Sequence, residues 1–344
     1  MSARCGRHRL KTLHRGLQAG ALALGFIGLA GLGGLAPGSA IAGVSASSRG
    51  LCHAREPQSA ALQDRRLRLV ARIRAELQAS GREAALIWRS GLDLARFGQR
   101  YSHAGVSLRE SANTPWSVRQ LYYACSEERP RVFDQGLAGF MLGADEQVQA
   151  RVTLLLLPAQ ASAALAAAAL DDRQALALLG EDYSANAYAF STRYQNCNQW
   201  VAELLAAAWG PAQGSVGATT REQAQAWLQQ RGYEPHRFEG PPWLYLASLF
   251  VPRLHQRDHP EEDRAAARYR VSMPSSLEAF VRAQLPGTER IEFCQDDTRI
   301  TVRRGWQPLG ESCEPGPGDE SVLLGEALRG AERKNAQDPL AIAS

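Results

Sequence analysis

Lysine is almost missing from this chain: Lys11 and Lys334 are the only two among 344 residues. We read that as genomic base composition. Basic charge is scarce where it would matter. The net charge of +4 rests on Arg4, Arg7, Arg9, Lys11 and Arg15, and no acidic residue precedes position 43. Without those five, 34 basic residues face 35 acidic ones, about −1. A strongly basic domain is the footprint of nucleic-acid binding, and its absence argues against that partner. The chain also lacks Cys-x-x-Cys, His-Glu-x-x-His, a P-loop and a Gly-x-Ser-x-Gly elbow. No motif calls for a metal or cofactor. No internal repeat is present. Hydrophobic residues at 45% and charged residues at 22% exclude wholesale disorder, a collagen-like fibre and a polytopic membrane protein.

One long apolar run is present. Residues 17–36 carry no charge and follow a basic stretch. Pro37 and Gly38 break the run, and Ala40-Ile41-Ala42 supplies small residues at a cleavage site. Basic, apolar and small-residue regions in that order define a secretory signal. Cleavage near Ala42 leaves no integral membrane segment and a periplasmic chain of 302 residues, 344 minus 42. An uncleaved anchor is the competing reading.

Export implies an oxidising compartment. Five cysteines follow residue 42: Cys52, Cys125, Cys197, Cys294 and Cys313. Cys294 and Cys313 flank an expected hairpin, 19 positions apart, and are paired here. Cys52 and Cys125 pair by elimination, which leaves Cys197 as the odd thiol. In another reading Cys197 belongs to a structural disulfide and a different cysteine is left over.

Periodicity sets the elements. Leu62, Leu67, Val70, Ile73 and Leu77 recur at helical spacing over 58–80. Ala84–Trp88, Ser102–Leu108, Ser117–Tyr123 and Val152–Leu157 read as strands, with Asn113-Thr114-Pro115 as punctuation. Helices are expected over 161–179 and about 194–209, and from Thr219, with Glu222 as its capping-box partner, to Gly232. Beyond a charged stretch at 255–268, the order strand, helix, strand, strand follows. This part is either an appended unit or an extension of the main sheet.

Thr192 with Gln195, or Asn196 alone, can cap a helix that starts here, so the Cys197 thiol sits in its first turn or two. Helix N-termini favour the thiolate, the nucleophilic form. The bland reading is a small buried residue on the stripe of Cys197, Val201, Leu204, Leu205 and Ala208. His103 lies on a strand in Tyr101-Ser102-His103-Ala104-Gly105. A Cys nucleophile needs an imidazole to take its proton. A hydrogen-bonded structural histidine is the bland alternative.

Ser-His-x-Gly-Val on a strand, followed 94 residues later by Asn-Cys at a helix start, resembles the circularly permuted NlpC-type branch of papain-like thiol hydrolases. The resemblance spans about residues 84–210. The segments around His103 and Cys197, with Tyr194-Gln195-Asn196-Cys197-Asn198-Gln199-Trp200, also look like a secreted proteobacterial family catalogued as domain of unknown function 2145, from about Cys52 to Asp258-His259-Pro260.

The permuted fold implies an α+β architecture: an antiparallel sheet, a packed Cys-bearing helix and a small C-terminal α/β addition. The expected layout is a signal peptide at 1–42, a papain-like core with an N-terminal helix at 43–255, an extension at 256–313 and a loose tail at 314–344. The fold also implies a third group on the strand after the His strand. Gln120 occupies that place, where permuted relatives often carry His or Glu. A neutral amide orients an imidazole but does not stabilise imidazolium by charge. Glu110 and Asp134 are fallback carboxylates. The Cys197 amide is the implied oxyanion donor, with Tyr101, Tyr194 or Asn196 as side-chain additions.

The implied activity is periplasmic hydrolysis of an amide or ester through Cys197 and His103, on cell-wall peptide by analogy. A lipid-ester hydrolase or acyltransferase and a non-catalytic binding or scaffold module are the alternatives. His255, Asp258 and His259 crowd too closely for a good metal site and read as a charged loop. Trp200, Trp209 and Trp227 read as core, and Arg65, Arg66 and Arg68 as a solvated face.

Overall fold

The structure is a computed structural model and describes residues 52, 58–142, 149–211, 214, 217–239 and 253–324. The expected signal peptide and the end of the expected tail lie outside these residues.

Helix α1 spans Ala60–Ala79, capped by the Ser59 side chain. Strands β1 (Ala84–Arg89), β2 (His103–Leu108), β3 (Ser117–Ala124) and β4 (Arg129–Gln135) follow, then α2 (Leu137–Leu142) and β5 (Ala150–Leu156). Next come α3 (Ala159–Leu170), α4 (Asp172–Ala177), α5 (Cys197–Trp209) and α6 (Arg221–Gln230). The remainder holds β6 (His236–Glu239), α7 (Glu261–Ala265), β7 (Arg268–Val271), α8 (Pro274–Gln284), β8 (Glu289–Gln295), β9 (Arg299–Arg304) and β10 (Glu320–Leu323).

Eight strands form one antiparallel sheet in the order β10-β9-β8-β5-β1-β2-β3-β4. Strands β6 and β7 make a separate ribbon. The architecture is therefore α+β with a large antiparallel sheet.

Both faces of the sheet are covered, which is why β1 is apolar from Ala84 to Trp88 rather than alternating. Ala84, Leu86 and Trp88 face a core completed by α3, α5, α6 and α8, through residues such as Leu165, Trp200, Leu228 and Phe280. Ala85 and Ile87 face the opposite core, with Leu69, Ile73 and Leu77 of α1 and Phe140 of α2. Helix α5 is buried along its whole length. Its alanines allow close approach, and its two tryptophans are satisfied: Trp200 Nε1 donates to the Ala175 carbonyl at 3.2 Å and Trp209 Nε1 to that of Ala161 at 3.3 Å.

Several boundaries differ from expectation for local reasons. Asp171 caps α4 with its side chain, dividing the single helix expected over 161–179. Thr220, not Thr219, caps α6, its side chain accepting from the Gln223 amide. Strand β4 and helix α2 carry weak periodicity and follow a short turn. Strand β10 lies inside the stretch expected to be loose. It is a four-residue exposed edge strand with no buried face to leave a pattern. Strands β8, β9 and β10 continue the main sheet through the β5–β8 pairing, so the extension reading describes them. The disulfides are Cys52–Cys125 and Cys294–Cys313, and Cys197 is the free cysteine among the described residues.

Candidate functional site

The loop before α5 is built from amide side chains. Asn196 Oδ1 accepts from the Gln199 amide at 2.8 Å and closes the helix start. Gln195 Oε1 accepts from the Gly180 amide at 2.8 Å, while its Nε2 donates to the Leu178 carbonyl and to Glu203. Gln199 Nε2 reaches the carbonyls of Tyr188, Ala189 and Ser191. Asn198 Nδ2 donates to the Ser272 carbonyl at 3.1 Å and the Ser102 carbonyl at 3.3 Å. Each of these amide nitrogens has partners, as burial requires, whereas Gln199 Oε1 has none among the described residues.

A charge lies beneath this loop. Glu203 sits on α5 with no exposure. Arg221 Nε donates to it at 2.9 Å and Gln225 Nε2 at 2.7 Å. Arg221 also donates to the carbonyls of Thr192 and Tyr194. Burial pushes the Glu203 carboxyl up, and the guanidinium opposes that rise. The network ties the approach to Cys197 onto α5 and α6. Sequence reading missed it. Its signal was a Glu in the middle of an otherwise apolar helix stripe.

Cys197 is the first residue of α5 and is buried. Its thiol lies 3.6 Å from Asn198 Oδ1 and 3.9 Å from the Ser102 carbonyl, and the Ala104 amide donates to it. The sulfur therefore rests against β2 on either side of His103. Burial pushes the thiol up to about 11, against the pull of that amide and of Arg89.

His103 opens β2, in register with Arg89 of β1. Its ring lies 5.0 Å from that of Tyr122 and 5.9 Å from that of Phe140. His103 Nε2 meets Gln120 Oε1 at 2.5 Å, and Gln120 Nε2 donates to Gln135 Oε1 at 2.7 Å. The amide of Gln120 spends its donor on Gln135 and offers His103 only an acceptor. Nε2 must then carry the proton, which leaves Nδ1 as the basic nitrogen. Burial, then the Arg89 guanidinium, pull the imidazole down to about 3. It is neutral at any ordinary pH.

Gly105 permits this pairing. A Cβ there would collide with Val118 Cγ1 and lie 3.1 Å from the Arg119 carbonyl. The glycine lets β3 approach β2 beside His103 and Gln120.

The structure thus joins His103 to Gln120 directly and brings Cys197 to the adjoining backbone. Alternation along β2 sends the His103 side chain toward Phe140, whereas Ala104 and Cys197 belong to the core on the other face. Among the described residues no hydrogen bond joins the thiol to the imidazole.

The fallback carboxylates lie elsewhere: Asp134 is held bidentately by Arg119, and Glu110 is exposed. Two of the expected side-chain oxyanion donors are engaged elsewhere: Tyr101 donates to the buried Glu292 at 2.7 Å, and Asn196 Nδ2 donates to the Ala185 carbonyl at 3.3 Å. The Tyr194 ring stacks on that of His255 at 4.5 Å. Asp258 Oδ2 accepts from the Tyr188 amide at 2.7 Å, and His259 Nε2 meets the Asn186 carbonyl at 2.8 Å. Among the described residues no group of three His, Cys, Asp or Glu side chains is placed to hold a metal ion.

An α+β protein whose one free thiol among the described residues is buried at a helix start, set against a histidine-bearing strand, is the class these observations define. The chain belongs to the family described as "Uncharacterized protein conserved in bacteria (DUF2145)", whose profile matches residues 76–281, more than half of its length. No curated protein and no solved structure matches the chain.

Proposed function

We propose that this protein is a thiol hydrolase of the bacterial envelope with a permuted, NlpC-type papain-like core. Cys197 is the nucleophile, His103 the base and then the acid, and Gln120 the positioning residue. The observation that carries this reading is the Gln120–His103 pairing, which leaves Nδ1 unprotonated on the strand against which the Cys197 thiol rests. Order along the chain agrees: His strand, orienting strand, then Cys helix.

The two neutral groups favour general-base attack over a preformed ion pair. Sulfur bonds to an amide or ester carbonyl carbon as its proton passes to His103. The Cys197 amide, in the first turn of α5, donates to the developing oxyanion in this proposal. His103 returns the proton to the leaving amine or alcohol as the C–N or C–O bond breaks. Water then cleaves the thioester, giving the carboxylic acid and the free thiol. Because the thiol and the ring sit on opposite sides of β2, the backbone at the start of β2 must rearrange, or a water must relay the proton around the strand end, when substrate binds. Cell-wall peptide is the proposed substrate class, and lipid ester or acyl transfer the competing one. Two disulfides fit an oxidising compartment, and no helix among the described residues is long and apolar enough to cross a membrane. We place the chain in the periplasm.

A non-catalytic binding module is the second reading. The observation that favours it is the raised thiol beside a neutral imidazole with no bond between them. Incubation with p-nitrophenyl acetate, an acid quench and peptide mass mapping separate the two. The hydrolase reading expects an acetyl group on Cys197, lost in Cys197→Ala and strongly slowed in His103→Ala. An unacylated Cys197, or acylation indifferent to His103→Ala, overturns it.

A further inference from the structure

Residues 253–260 are fastened along their length to the loop that leads into α5. The Arg253 carbonyl accepts from the Ala185 amide at 2.9 Å. The His255 amide donates to Ser184 Oγ at 2.9 Å and to Asn186 Oδ1 at 3.0 Å. Asp258 Oδ2 accepts from the Tyr188 amide at 2.7 Å, and His259 Nε2 donates to the Asn186 carbonyl at 2.8 Å. The same loop is also bound to the start of α5. Asn196 Nδ2 donates to the Ala185 carbonyl at 3.3 Å, the Ser184 amide to the Gln195 carbonyl at 3.2 Å, and Gln199 Nε2 to the Tyr188 and Ala189 carbonyls at 3.3 Å. The loop therefore joins a strap, residues 253–260, to the cap of the Cys197 helix.

One member of the strap has no room for a charge. The side chains of Asp258 and His259 are without exposure. His259 Nε2 carries its proton toward the Asn186 carbonyl, so Nδ1 is the bare nitrogen. The groups that face the ring are Asp258 beside it, Tyr188 of the loop, Tyr269 and Arg270 of β7, and Asp263 of α7. Asp263 is already answered by Arg270 at 2.7 Å and Arg268 at 3.7 Å. Burial outweighs both carboxylates and holds the imidazole below its ordinary value, so it is neutral at pH 7. A second proton, on Nδ1, meets no acceptor among the described residues. Asp258 Oδ1, which also has no hydrogen bond there, lies 3.9 Å from Nε2 instead. A charged His259 either turns toward Asp258 and drops the Asn186 carbonyl, or moves out to water. Both outcomes detach the strap from the loop. His255 is exposed, so its protonation requires no such movement.

We propose that residues 253–260 form an acid-released strap on the loop before Cys197, with His259 as its trigger. The consequence for catalysis, a site loosened in acid, rests on the hydrolase reading, whereas the release itself does not. A released His259 takes its proton near the free value of about 6.5, and the latched one only below it. Latching is therefore full above that value and weakens as pH falls, by up to about tenfold per pH unit for one proton.

Hydrogen exchange of the full chain, read by peptide mass mapping and corrected for the chemical rate, tests this between about pH 7.5 and about pH 4.5. Peptides covering 184–191 and 253–260 are expected to lose protection about tenfold or more, while a peptide covering β1 keeps its own. That control separates the strap from proton uptake by His103, which loosens the whole fold. His259→Gln keeps a donor for the Asn186 carbonyl and takes no charge, so its protection is expected to be flat with pH. His255→Gln is expected to retain the loss. Protection that does not change with pH in the natural chain, or is lost equally in His259→Gln, overturns the proposal. If His259→Gln is unprotected at every pH, the natural chain decides. The fall in protection must then end where the His259 imidazole titrates by NMR, and a separation of more than about one pH unit overturns the trigger. A Cys197 that p-nitrophenyl acetate acylates at no pH removes the hydrolase reading and leaves the strap to be judged by exchange alone.

Discussion

Alkylation of Cys197 as a function of pH is the sharpest test of the site's electrostatics. The thiol is surrounded by Ser102, Ala104, Asn198 and the apolar core, and burial lifts it to about 11. At pH 7 such a thiol is ionised to about one part in 10⁴, against about one part in 30 for an ordinary thiol of pKa 8.5. Iodoacetamide reacts with the thiolate, so Cys197 should react roughly 300-fold more slowly than a free cysteine. Its rate should still be climbing at pH 10. The imidazole is neutral and lies toward Phe140, so His103→Ala should leave the curve in place. Arg89 opposes the rise, so Arg89→Met should move the midpoint further up. Peptide mapping identifies the labelled site, since the other cysteines of the described residues are in disulfides. A midpoint at or below 7 that His103→Ala raises would refute this reasoning. It would mean that a thiolate–imidazolium pair exists in the resting protein.

The His103 imidazole titrates near 3 in the fold and near 6.5 when free. The unfolded chain gains this proton as pH falls below 6.5 and the folded chain does not until about 3. Stability is therefore full above pH 6.5 and drops by up to about 5 kcal/mol toward pH 3, a loss that urea titrations should find much reduced in His103→Gln. Arg221→Met leaves Glu203 charged and buried, and should cost about 3–5 kcal/mol by urea denaturation. Arg221→Met with Glu203→Leu should recover most of it, and a double variant no more stable than the single one would count against the pairing. Gly105→Ala forces β3 away from β2, and should cost about 1–3 kcal/mol while loosening Gln120 from His103. Unchanged melting would show that the strands yield freely.

Much of the fold was legible because its signals are local. Ile73 and Leu77 mark the buried face of α1, although Leu67 of the expected stripe is exposed and Leu69 and Arg66 are buried instead, and the apolar runs of β1 and β5 mark strands covered on both sides. Asn196 was one of two candidate caps for α5 and is the one used, and the odd cysteine count announced Cys197. Other features depend on partners far along the chain. Strand β10 is a strand because β9 lies beside it, and nothing in Glu320–Leu323 alone says so. Glu203 and Arg221 are 18 residues apart and meet only after α5 and α6 pack. Arg253 reaches Tyr123 only after the polypeptide has crossed the sheet and returned, so no spacing rule links them. Gln120 was expected beside His103 because the resemblance to the permuted fold implies a third group on the next strand, and adjacent antiparallel strands bring the two side chains together.

The sheet order has a consequence for how the polypeptide is made. Strand β5, Ala-Arg-Val-Thr-Leu-Leu-Leu, has β1 on one side and β8 on the other. During synthesis from the N-terminus its second side stays bare until helices α3 to α8 have all emerged. An apolar strand with an open edge is a template for mispairing between chains. The nascent protein therefore has every reason to remain incompletely folded, and to need a holding chaperone, until its final quarter is available. A fragment ending at residue 281, where the family profile stops, would keep both Cys197 and His103 yet carry that sticky edge permanently.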